Sequence, residues 1–340
     1  MRPVFDGHND ALTRPDHALF SVGRPEGDLD LPRMRAAGVR GAIFAVFTPS
    51  EHERSGPVSR GDGVVEFELA AEVPHRDAAA CATTAAGRLV ALEREGHVRI
   101  ARAIADIDAA ADDGPPAAVL HLEGAEAIDV ELEALELWYA AGLRSLGPVW
   151  SRPNRFGHGV PFISPSSPDT GPGLTQAGLG LVRRCAELGV VVDLSHLNEA
   201  GFWDVAELEI GPLVASHSAA HELCAASRNL TNRQLDAIGR SGGLVGIVFA
   251  CPFLRSDFAD EPDTPVELIA RHAAYVAERI GVEHVGLGSD FDGAPIPAAL
   301  GGAAGIPILF EALGEVGFSP GGLDQIAWQN WRRVLGAWWK

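Results

Sequence analysis

Apolar runs in this chain end in groups that can hold metal ions or move protons. PVFD (3–6) leads into His8 and Asp10, AAVLHL (117–122) into Glu123, and VVVDLS (190–195) into His196. PLVAS (212–216) leads into His217, and HVGLGS (284–289) into Asp290 and Asp292. His8 and Asp10 stand two residues apart, so in an extended segment both side chains project to the same side. An imidazole and a carboxylate so placed can hold one divalent ion, and His196 with His217 can hold a second. Glu123 can bridge them, one oxygen to each. Two ions about 3.5–4 Å apart share a water and lower its pKa toward neutrality. The expected nucleophile is that bridging hydroxide. Asp290 is the expected general base, which takes the remaining proton and passes one to the leaving group. One strand-end histidine is ordinarily a packing residue, and an HxD triplet arises by chance. Five strand ends each bearing a suitable group carry the signal. His121 could support Glu123 or simply pack, and the remaining histidines outside the site read as surface or supporting groups.

These groups converge only if the strands are parallel. Eight apolar runs read as strands: 3–6, 41–47, 117–122, 143–149, 190–195, 212–216, 244–249 and 284–289. Helical patterns fall near 64–95, 131–141, 174–188, 199–208, 232–240 and 265–281. Strands separated by amphipathic helices indicate βα units. Eight units predict a (β/α)8 TIM-type barrel, an α/β fold whose strand C-termini open on one chemical face. The run 98–103 fits an extra edge strand, and 49–62 and 151–173 read as long βα loops. An open doubly wound sheet is the alternative, but the first βα turn lacks a Gly-rich dinucleotide fingerprint. No linker divides the chain, so a single catalytic barrel domain is expected over 1–340.

A formal charge of -19 disfavours nucleic acid and anionic membranes as partners. No apolar stretch is long enough for a span or a signal peptide, which predicts a cytoplasmic protein. The only lysine is Lys340, so no internal lysine is available for a Schiff base or a carbamylated bridge between metals. The four cysteines form no C-x-x-C pair, and free thiols are expected.

Seven motifs in order, DGHND (6–10), HLEG (121–124), DLSHL (193–197), ASHS (215–218), SRNLT (227–231), GSDFDG (288–293) and QNWRRVL (329–335), resemble those of the membrane dipeptidase, or renal dipeptidase, family. The resemblance covers residues 3 to about 336. It implies a binuclear zinc centre with His8, Asp10 and Glu123 on one ion and Glu123, His196 and His217 on the other, although other divalent metals suit the same donors. It also implies Asp290 as acid/base and Arg228 as the binder of the substrate carboxylate, a task suited to a forked guanidinium. Family members such as the mammalian enzyme carry a histidine after strand four, where this chain has Trp150. Carbonyl polarisation would then fall to zinc, to Arg152 or to His158, and Asn9 is a candidate contact for the substrate amine. The implied activity is hydrolysis of small dipeptides, L-Xaa–L/D-Xaa. The alternative is another amide or ester hydrolase, acting on N-acyl amino acids, cyclic amides or lactones. The family is often dimeric, and the tryptophan-rich end (Trp328, Trp331, Trp338, Trp339) could pack on the barrel or on a second copy.

Overall fold

The computed structural model describes residues 2–50, 57–67, 71–112 and 114–339. Among these lie twelve strands: β1 (Val4–Asn9), β2 (Val39–Phe47), β3 (Val58–Gly61), β4 (Val64–Phe67), β5 (Arg99–Ile100), β6 (Ala117–Glu123), β7 (Leu143–Gly147), β8 (Phe162–Ser164), β9 (Val191–Val192), β10 (Val214–Ser218), β11 (Leu244–Ile247) and β12 (Val285–Leu287). Eight of them pair in parallel in the order β10-β11-β12-β1-β2-β6-β7-β9. The remaining gap is bridged by Asp193 pairing with Val214 and by the Leu194 amide donating to the Val214 carbonyl at 2.9 Å. The fold is the expected (β/α)8 barrel. β5 is the expected edge strand. It pairs with Ala117 and Ala118 of β6, and β7 reaches that strand only from Leu120 onward.

Local sequence explains where the helices begin and end. Asp30 caps helix Leu31–Ala37 by accepting from the Arg33 amide, with Pro32 in the first turn and Gly38 left-handed at the end. Thr231 and Gln234 form a reciprocal capping box at the start of Asn232–Arg240. The expected helix over 64–95 is corrected: Val64–Phe67 is a strand and the helix spans His75–Arg94. Pro74 precedes it in an extended conformation, where a helix start is favoured. The helices Leu31–Ala37, Ile104–Ala110, Ile306–Glu315 and Asn330–Trp338 were not anticipated, being short or masked by aromatic and glycine content. The two long loops are also partly regular. β3 lies in the first, whose residues 51–56 (His52 among them) fall outside those described, and β8 lies in the second. β3, β4 and β8 form a separate antiparallel sheet, with Val65, Glu66 and Phe67 paired to Ser164, Ile163 and Phe162.

The barrel is closed at one end by its own C-terminal helix. Trp331 is fully buried against Phe5, with ring centroids 5.5 Å apart, and its indole donates to the Leu287 carbonyl at 2.9 Å. Trp338 donates to the Pro212 carbonyl and Trp339 to the Arg144 carbonyl. All four tryptophans of this end are therefore buried on the chain's own barrel, and none of the four cysteines is in a disulfide. Among the described residues no helix is long and apolar enough to cross a membrane.

Two strands depart from regular register where chemistry was expected. Between Asp6 and Asn9 β1 carries one residue more than β2, and between Ala215 and Ser218 β10 carries one more than β11. Such bulges re-aim side chains. These bulges sit at Gly7–His8 and Ser216–His217. The β10 bulge brings the Ser216 carbonyl toward neighbouring strands that have no side chain there. A Cβ would meet that oxygen at 2.7 Å from Gly7, 1.9 Å from Gly246 and 2.0 Å from Gly288. Gly246→Ala should therefore destabilise the fold by about 1–3 kcal/mol through overpacking, measured by chemical denaturation. Wild-type stability in that variant would show that β10 can retreat freely.

Candidate metal centre and substrate cavity

The C-terminal ends of β1, β6 and β10, with the turn after β9, place four buried side chains around one point. The Glu123 Oε1 atom lies 3.4 Å from His8 Nε2, 2.9 Å from His196 Nε2 and 3.5 Å from His217 Nε2. Asp10 joins them with its Oδ2 atom 3.6 Å from His8 Nε2. The His8 and His217 rings stack with centroids 3.8 Å apart, which the two bulges make possible. All five expected ligand residues are 6% exposed or less, so they are brought together and shielded.

Each of two imidazoles is oriented by a serine behind it. Ser151 Oγ lies 2.7 Å from His196 Nδ1, and Ser216 Oγ 2.8 Å from His217 Nδ1. Ser216 Oγ also donates to Asp193 Oδ2 at 2.5 Å, so it accepts from a protonated His217 Nδ1 and leaves Nε2 as a bare lone pair. Asp193 lies close enough to His8 and His217 to suggest a ligand. Its other oxygen, however, accepts from the Ser195 amide, the Ser195 hydroxyl and the Ser216 amide. It is an anchor for the histidines. His121 is likewise buried behind the site, bonded through Nδ1 to Ser145 Oγ at 2.9 Å.

The donor set fits divalent cations. Both ring nitrogens of His8, and Asp10 Oδ1, are buried without a hydrogen-bond partner, which is costly unless something else satisfies them. Burial disfavours a charged His8, yet Glu123 and Asp10 raise it well above its ordinary value, so this position attracts positive charge. Burial, then Arg228, pulls His196 down to about 4, and burial, then His8 and Arg228, pulls His217 well down, keeping both neutral as ligands must be. Burial alone would raise Glu123, but His8 and His196 hold it well below the usual carboxylate range. Three imidazoles and two carboxylates match the preferences of zinc.

A cavity of about 280 Å³ opens above this cluster. Asp10, Asp290, Asp292 and Arg228 are among its lining residues, the Asp292 carboxylate itself being shut off from solvent. Asp290 and Asp292 both have left-handed backbones, φ 61° and 67°, a conformation unusual for residues other than glycine. The turn is held from outside. Asp292 accepts from the Asp28 amide at 2.7 Å and from Arg24 Nη2 at 2.8 Å, and its own amide donates to Asp28 Oδ2. Gly293 is needed beside it, since a Cβ there would lie 2.3 Å from both the Asp10 and the Asp290 carboxylate. Arg228 is positioned by its neighbours: Asn229 bonds the Cys224 and Phe253 carbonyls, and Ser227 the Pro161 carbonyl. Burial lowers the Arg228 guanidinium to about 10, so it remains charged at neutral pH.

The profile of the membrane dipeptidase family, peptidase family M19, matches residues 1–338. The chain belongs to the membrane dipeptidase family. A metallo-peptidase from Rhodobacter sphaeroides, solved with a phosphinate mimic of the dipeptide L-Ala-D-Ala, is 42% identical with a TM-score of 0.93, and 99% of each chain is covered. The solved metallo-peptidase called dipeptidase AC is also 42% identical, with a TM-score of 0.92 over 99% of both chains. A Klebsiella pneumoniae protein of the pqqA 5′ region is 47% identical over 245 residues, 72% of this chain and 90% of that protein. This membrane dipeptidase family member is a metallo-dipeptidase, a hydrolase acting on peptide bonds.

Within this dipeptidase the residues expected to touch substrate divide. Arg228 and Trp150 line the cavity; Asn9, Arg152 and His158 do not. Asn9 spends its side-chain amide on the Ile43 carbonyl at 2.9 Å, joining β1 to β2. Arg152 is fully buried, paired with Glu126 at 3.0 Å and bonded to the Thr48 carbonyl at 2.6 Å. Its guanidinium lies 5.2 Å from both the Phe47 and Trp150 ring centroids, so it fixes Trp150 from behind. His158 is exposed, its Nδ1 3.1 Å from the Gly173 carbonyl. Sequence reasoning missed Asp193, Ser151, Ser216 and Arg24 as supports. The repeated Ser-His pair in DLSHL and ASHS was the available signal for Ser195 and Ser216, but Ser151 reaches His196 only through the fold. Replacing Glu123 by Gln should release at least one metal ion per chain, read by elemental analysis. Two ions retained would remove Glu123 from a shared role.

Proposed function

We propose that the chain is a zinc-dependent dipeptidase that hydrolyses small dipeptides, L-Xaa–L-Xaa or L-Xaa–D-Xaa, with one catalytic barrel spanning 1–340. The observation that carries this reading is the cavity itself. Five converging nitrogen and oxygen donors lie at its base beside a carboxylate turn and one buried guanidinium, so both ends of a zwitterionic dipeptide find opposite charge. The relative solved with a mimic of L-Ala-D-Ala supports it.

His8, Asp10 and Glu123 would hold one ion, and Glu123, His196 and His217 the other. Bound there, the ions would supply Lewis-acid polarisation of the scissile carbonyl and acidify water. Arg228 receives the substrate's terminal carboxylate through its planar fork. Its Nη1 and Nη2 are already bonded to Ser218 Oγ and the His217 carbonyl, each at 2.9 Å, which locks the fork in place, while Nε has no other partner. The free amine is received by the acidic side of the cavity, where Asp290 lies, in place of Asn9. The Asp290 carboxylate accepts a proton from the attacking water and delivers it to the leaving amine nitrogen. Trp150 and its aromatic neighbours keep bulk water away from these transfers.

Removing zinc with a chelator should abolish turnover of an L-Ala–D-Ala and L-Ala–L-Ala panel, and adding zinc back should restore it. Good turnover of N-acyl amino acids with none of free dipeptides would overturn the dipeptidase reading. Asp290→Asn should keep metal content near normal while kcat falls about 10²-fold or more; full activity would remove Asp290 from proton transfer. Arg228→Lys should raise KM about 10–100-fold, the worth of a charge-assisted bond, in steady-state assays. An unchanged KM would place the carboxylate elsewhere.

A further inference from the structure

The part of the cavity around Arg228 is aromatic. The Arg228 guanidinium lies against Phe253, its Cζ atom 5.8 Å from the ring centroid. Phe162 stands 5.4 Å from Phe253 and meets Trp150 edge-on at 5.6 Å. All three rings line the cavity, as does Phe67, the β-sheet partner of Phe162. They are held firmly. Phe253 has its carbonyl bonded by Asn229, Phe162 sits in β8, and Trp150 is backed by Arg152. Among the described residues Arg228 is the only arginine in the cavity lining, which contains no lysine.

We propose that this aromatic wall is the pocket for the side chain of the substrate's C-terminal residue, and that the enzyme selects dipeptides in which that side chain is apolar, aromatic ones foremost. The proposal rests on the dipeptidase reading, in which Arg228 holds the terminal carboxylate. The Cα of the C-terminal residue is then one bond from the group on Arg228, and a side chain leaving it meets Phe253 and Phe162. An apolar side chain loses water there and gains ring contacts. A carboxylate side chain loses its water against the same rings, while the one guanidinium at hand is engaged by the main-chain carboxylate, so its charge goes unmatched. Size and polarity of the C-terminal side chain therefore act in the same direction.

The test is kcat/KM for L-Ala–Xaa with Xaa as Phe, Leu, Ala and Asp, each in both configurations, on zinc-loaded wild-type enzyme. In the preferred configuration Phe should exceed Ala about tenfold or more, and Asp should fall about 10²-fold below Phe. Phe162→Ala should narrow the Phe-to-Ala ratio, and Phe162→Leu should retain most of it. Asp accepted as well as Phe, or a ratio unmoved by Phe162→Ala, overturns the aromatic pocket and leaves the dipeptidase reading standing. Cleavage of no member removes that reading, and this proposal with it.

Discussion

One carboxylate oxygen organises the open end of the barrel. Glu123 Oε1 is faced by three imidazole nitrogens at 2.9–3.5 Å, in surroundings nearly free of solvent. Ionisable groups gathered in such a place are unfavourable unless each is paired or ligated. The fold supplies the pairing in layers. Serines orient two of the histidines, Asp193 orients one of those serines, Ser216, and both ring nitrogens of His8 and one oxygen of Asp10 are left without a hydrogen-bond partner. Remove the central carboxylate and the inward-facing imidazoles have nothing to converge on.

Convergence also constrains the backbone. Two strands must bulge at Gly7–His8 and Ser216–His217, and the space for the second bulge comes from Gly7 of β1, Gly246 of β11 and Gly288 just past β12. The C-terminal tryptophans act at the other end. Trp331 packs on Phe5 and bonds the Leu287 carbonyl, so the closed end supports the same β1 and β12 that carry His8 and Asp290 at the open end. The motif QNWRRVL thereby has a structural role: Asn330 bonds the Val282 and Val285 carbonyls, and Arg333 the Gly242 and Glu283 carbonyls.

The barrel and the five clustered residues His8, Asp10, Glu123, His196 and His217 were legible in the sequence because both depend on patterns that survive in one dimension. Apolar runs mark the strands, and a polar residue just past each run marks the open face. That Asn9, Arg152 and His158 lie outside the cavity lining was not legible. Their residue types suit substrate binding, and only the third dimension shows Asn9 spent on Ile43, Arg152 on Glu126, and His158 turned to Gly173 at the surface. The small sheet was hidden for a related reason. β8 has three residues in a stretch rich in proline, glycine and serine, and it becomes a strand only because β4, nearly a hundred residues earlier, offers it an edge. The bulges left no mark except glycine, whose many other uses in this chain obscure it.

That sheet has a mechanical consequence. A loop tethered only at its two ends can swing, and many enzymes use such a flap to time each turnover. Here the connections after β2 and after β7 are stitched to one another by paired strands, with Phe67 and Phe162 on facing positions. Neither can lift without tearing the other's hydrogen bonds. The aperture they frame can therefore change its width only if both connections move as one body, which couples the two walls of the cavity mouth.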